Sequence, residues 1–94
     1  MEKVIINCVV ISTPYPVLNE QRELECFIEV EALHLLRVDK GVTEKNKKLC
    51  LRIADGSIWL HFKKTCVNDR LTVGGTLCGK TVTSASITKM AVTA

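Results

Sequence analysis

Ninety-four residues allow one domain with a single modest core, too small for the layered sheets of most cofactor enzymes. Apolar residues make up 47% and charged residues 24%, an ordinary globular balance, and no segment nears the run of about 18 apolar residues that a membrane span needs. The net charge of +3 hides an asymmetry: residues 1–35 hold six Glu against one Lys and one Arg, while residues 36–94 hold eleven Lys and Arg against four acids. Such a division points the second half of the chain toward an anionic partner.

The first run, "MEKVIINCVVIS", places a lysine before apolar residues, but Asn7 interrupts them and no small-residue cleavage site follows. A strand over 3–12 is predicted instead of a leader, and a cytoplasmic chain is expected. Pro14 and Pro16 then remove backbone donors and predict an extended loop with Tyr15 exposed between them. From 23 to 32, Leu24, Cys26, Ile28, Val30 and Ala32 share one parity, and Glu23, Glu25, Glu29 and Glu31 share the other, which predicts a strand with one wet face. A helix is the alternative, because Leu24, Phe27, Ile28, Ala32, Leu35 and Leu36 also fit a helical stripe. The stretch 39–48, with four lysines and no core-like run, reads as an exposed basic loop.

In "KKLCLRIADGSIWLHFKK", Asp55-Gly56 lies between two alternating runs and is a preferred centre for a two-residue hairpin turn. The implied register puts Leu49, Leu51, Ile53, Ile58, Leu60 and Phe62 on one apolar face, the core side. The other face carries Arg52 opposite Trp59, Cys50 opposite His61 and Lys48 opposite Lys63. Like charges directly opposite one another oppose pairing unless an anion relieves them. Beyond a short link, "RLTVGGTLCGKTVTSASITKM" predicts a strand bent at Gly74-Gly75, a turn at Gly79-Lys80 and a last strand.

Residues 74–81, "GGTLCGKT", match the G-x-x-x-x-G-K-[ST] phosphate-loop pattern. That motif needs a helix after it, and the β-branched, hydroxyl-rich "VTSASITKMAVTA" favours a strand. A hairpin turn is the expected reading. The five cysteines are widely spaced with no C-x-x-C, which argues against a disulfide framework and a zinc site and for buried or strand-face thiols. With two His, three Asp and no recognisable nucleophile, metal or paired-carboxylate constellation, neither an enzyme nor a cofactor is expected. Together the elements predict an all-β chain closed into a small barrel over residues 1–94.

The order of these features resembles the oligonucleotide/oligosaccharide-binding (OB) fold, as in single-stranded DNA-binding proteins. "LRIADGSIWLHF" is similar to that family's central hairpin, "DRLTVGGTLCG" to its fourth strand and "ITKM" to the end of its last. The resemblance implies a five-stranded OB-like barrel, with residues 3–12 either its first strand or an extra N-terminal one. It also implies a non-catalytic protein that binds single-stranded DNA or RNA on the outward hairpin face. Trp59 would stack on a base, with Phe27 as a second platform and His61 stacking or donating to a phosphate. Arg52, Lys48 and Lys63, then Lys64, Lys45, Lys47 and Lys80, would meet phosphates. A homo-oligomer, or a partner from replication or recombination, fits the same reading. The alternative is a small barrel that serves as a protein–protein adaptor through its acidic strand or its first strand.

Overall fold

The computed structural model describes residues 2–53 and 66–89. Among them every regular element is a strand: β1 (Glu2–Val10), β2 (Tyr15–Leu18), β3 (Leu24–Arg37), β4 (Val42–Ile53), β5 (Arg70–Cys78) and β6 (Thr81–Lys89). Alternation decides which side of each strand is buried. Val4, Ile6, Cys8 and Val10 of β1, Cys26, Ile28, Val30 and Ala32 of β3, and Leu49, Leu51 and Ile53 of β4 all face one core. Leu71, Val73 and Leu77 of β5 and Val82 of β6 complete it.

The strands close on themselves. β1 pairs with β5, β5 with β6, β6 with β4, β4 with β3, and β3 returns to β1, giving a five-stranded OB-like barrel with β2 outside the ring. All contacts in the ring are antiparallel except β4–β6, which is parallel over Cys50–Arg52 and Thr81–Thr83. The first run is therefore a ring strand with both edges occupied, by β3 and β5, and is not an added strand.

The extra strand is the one that the prolines concealed. β2 lies along the same edge of β3 that β1 uses, pairing with Leu24–Phe27 where β1 pairs with Val30–Arg37. The Asn19 N–H donates to the Glu23 carbonyl at 3.0 Å, so alternation turns the backbones of Tyr15 and Val17 toward β3 and those of Pro16 and Leu18 away. Pro16 thus occupies a position where no donor toward β3 is needed, and the strand forms in spite of it.

Two further departures from the sequence reading have physical causes. The stretch 39–48 is not a loop: the turn is confined to 38–41, and β4 begins at Val42, held by pairing with β3 from Arg37↔Val42 to His34↔Lys45 and again from Ala32↔Lys47. Its lysines are exposed, so this end of the strand is set by hydrogen bonding and leaves no apolar alternation to read. In β3, the register with β1 slips at Leu33, and burial passes from Ala32 to Leu35 with exposed His34 between. This bulge bends the long strand and breaks its period of two, which is why a helical stripe also fitted the sequence.

The phosphate-loop look-alike is a strand, a two-residue turn and a strand. Cys78 pairs with Thr81 across Gly79-Lys80, and Gly79 has φ of +63°, the left-handed conformation that such hairpin turns place on glycine. The predicted bend lies at Gly74-Gly75, where the β5–β6 register shifts. A Cβ on Gly75 would collide with the Thr83 carbonyl oxygen, so this position requires glycine because two backbones touch there.

Candidate nucleic-acid interface

The parallel β4–β6 contact does more than close the ring. The Cys50 N–H donates to the Lys80 carbonyl at 2.9 Å, which fixes the β5–β6 turn against β4. A groove of about 280 Å³ results, lined by Lys47, Lys48 and Leu49 from β4, Leu77, Gly79 and Lys80 from the β5–β6 hairpin, and Arg37 from the end of β3. Lys48 and Lys80, 32 positions apart in sequence, meet at one site for this reason.

The cations of the groove differ in their commitments. Arg37 bridges Glu2 at 2.9 Å and Glu44 at 3.2 Å, and Lys47 Nζ lies 2.6 Å from the second Glu44 oxygen. Lys47, and then Arg37, hold the Glu44 carboxyl below its ordinary range. Lys48 and Lys80 are exposed and, among the described residues, have no ion-pair partner. Lys45 is also exposed, in register with His34 beyond the groove.

Arg52, expected to meet a phosphate, is paired with a carboxylate of its own sheet. Its Nε and Nη2 donate to the two Glu25 oxygens at 2.6 and 2.5 Å, and Asn19 Nδ2 donates to one of them at 3.0 Å. Glu25 is 8% exposed, and the bonds from Arg52 and then Asn19 hold its carboxyl down to about 2. This clamp ties β3 and β4 to the turn after β2.

Phe27 is half-buried on the outer face beside Arg52, its register partner. It is covered by Tyr15 of β2, with ring centroids 5.9 Å apart and planes inclined by 18°. The Tyr15 hydroxyl donates to Glu29 Oε1 at 2.8 Å and lies 3.8 Å from Cys50 Sγ. That bond to a carboxylate is the leading reason why the phenol's pKa is raised. Cys50 therefore joins two features, with the Tyr15 hydroxyl on its side chain and the Lys80 carbonyl on its backbone.

The structure thus brings Lys47, Lys48 and Lys80 into one groove, with Phe27 and Arg52 on the adjoining outer face and Lys45 beyond it. Trp59, His61, Lys63 and Lys64, with the Asp55-Gly56 turn, lie outside the described residues. Both edges of β4 at Cys50–Arg52 are occupied, by β3 and β6. Sequence reasoning missed Glu25 and Tyr15 as members of this surface. Tyr15 had a signal, an aromatic held between two prolines, whereas Glu25 looked like one more glutamate of a wet face. Compared with known proteins, the chain matches no protein-family model and no curated sequence.

Proposed function

We propose that the protein is a non-catalytic binder of single-stranded nucleic acid, acting in the cytoplasm, that runs the phosphate backbone through the Lys47, Lys48 and Lys80 groove. The observation that carries this reading is the convergence of Lys48 and Lys80 on one groove, both lacking an ion-pair partner among the described residues. Two like charges held close together favour a polyanion, which releases its counterions on binding. The barrel supports the reading, because OB barrels bind oligonucleotides on the sheet face and loops equivalent to β3, β4 and the β5–β6 turn. Trp59, His61, Lys63 and Lys64 remain part of the proposal as further contacts.

The test is anisotropy of a labelled oligo-dT or oligo-U strand titrated with protein at several salt concentrations. Each lost phosphate contact on a single strand flattens the slope of log K against log salt by about 0.7, so replacing both Lys48 and Lys80 with Ala should flatten it by about 1.4. No binding to either strand at low salt sinks the proposal.

One observation favours the adaptor reading. Val17, Leu18 and Leu24 form an apolar corner at the β2–β3 turn, with Leu18 and Leu24 paired in register and 64% and 55% exposed. On that reading, charge substitutions at Leu18 and Leu24 abolish a protein contact, and the lysine pair changes nothing.

A further inference from the structure

The observations extend beyond the lysine groove to a second subsite, which rests on the single-strand reading above. We propose that Tyr15, carried by the strand outside the ring, is a platform on which a nucleobase stacks, and that it acts together with the Lys48 and Lys80 groove.

Three features of Tyr15 converge on this role. One ring face packs on Phe27, yet Tyr15 remains 37% exposed, so aromatic surface is left over after the intramolecular stack is made. The side chain is also held in place: Phe27 supports the ring and Glu29 Oε1 accepts a hydrogen bond from the hydroxyl at 2.8 Å. A ring already fixed loses little side-chain freedom when a base lands on it. Finally, the hydroxyl end points at Cys50, two positions along β4 from Lys48 and bonded through its backbone to Lys80. The aromatic surface and the phosphate groove therefore adjoin, as a strand needs when its base stacks on one while its backbone follows the other.

Phe27, the sequence-based choice for this role, becomes the support beneath the platform. Stacking is tolerant of base identity because every base has a π-face, so the subsite takes a nucleobase of either DNA or RNA. Of the two carboxylates around it, Glu25 is neutralised by Arg52, while Glu29 keeps its charge beneath the Tyr15 hydroxyl, which favours a base and not a phosphate at the ring itself.

The experiment uses the full chain and an oligo-dT strand carrying 5-iodouracil, which on irradiation joins to an aromatic side chain stacked against it. Mass spectrometry of the wild-type adduct should place the cross-link at Tyr15. In parallel, Tyr15→Leu should weaken binding by about 5- to 150-fold, the range for loss of one base–aromatic stack. Tyr15→Phe, which keeps the ring and loses only the hydroxyl bond, should stay within about threefold of wild type. Wild-type binding with cross-links only elsewhere, or equal affinity of the Leu and wild-type proteins, overturns the platform and leaves the groove standing. A Tyr15→Phe variant as weak as Tyr15→Leu overturns it too, because the hydroxyl latch would then matter and not the ring. Wild-type protein that binds no single strand overturns both readings together.

Discussion

At the scale of single residues, Glu25 is the group with the clearest pH signature. Its carboxyl is lowered from 4.5 to about 2 in the folded protein, chiefly by Arg52 and then by Asn19. A carboxylate depressed by folding contributes stability that is fully present above its unfolded value and fades as pH falls from about 4.5 toward 2. Glu25→Gln removes that contribution at neutral pH. The melting temperatures of Glu25→Gln and wild type, followed by circular dichroism, should therefore differ most near neutrality and converge through that acidic window. A gap that stays constant with pH would mean that the clamp is not what holds the carboxyl down. Arg52 itself was legible as an outward cation on a strand. Its commitment was not, because the partner lies 27 positions earlier and becomes a neighbour only when β3 and β4 pair.

At the scale of elements, the glycine pair separates what sequence encodes directly from what pairing imposes. Gly74-Gly75 was readable as a bend because an interior strand rarely tolerates missing side chains without reason. The structure adds the reason, the Thr83 carbonyl where a Cβ would sit. Gly75→Ala should cost about 1 to 3 kcal/mol, as overpacking against a rigid backbone does, and lower the melting temperature by several degrees. Gly79→Asn should also destabilise, by about 1 to 3 kcal/mol, since of the two turn residues only Gly79 has positive φ, the glycine position of a type II′ turn. Equal melting temperatures for Gly75→Ala and wild type would show that the two strands separate there at no cost. The first half of β4 and the whole of β2 were illegible for a shared reason. Both are strands recruited through backbone pairing with β3, and neither buries an alternating apolar row.

At the scale of the whole molecule, the barrel rearranges the charge asymmetry of the chain. The acidic first third does not form one face and the basic remainder another. Instead acids are set among the cations: Glu2 and Glu44 with Arg37, Glu44 with Lys47, Glu25 with Arg52, and Glu31 in register with Lys48. Part of the positive charge legible in composition is thus spent on internal pairing with Arg37, Lys40, Lys47 and Arg52, while Lys48 and Lys80 in the groove and Lys45 beyond it make no ion pair among the described residues. The all-β barrel was legible because its core strands alternate cleanly. The location of the free charge was not, because it depends on which acid each cation meets.

The proline of β2 has a consequence for how copies of this protein behave in company. β2 is the one strand that, among the described residues, has a neighbour on a single side, and an open strand edge is a template for another chain. Pro16 points its donor-free nitrogen toward that open side, so an incoming strand finds no N–H at the middle of a four-residue edge and the stack stops before it starts. Pro16→Thr restores the donor on an edge already rich in apolar residues. Light scattering of concentrated Pro16→Thr protein should then rise with time where wild type stays clear, and a clear solution of the variant would show that the edge is protected by something else. A residue that looked like a strand breaker would act as the guard that keeps the strand soluble.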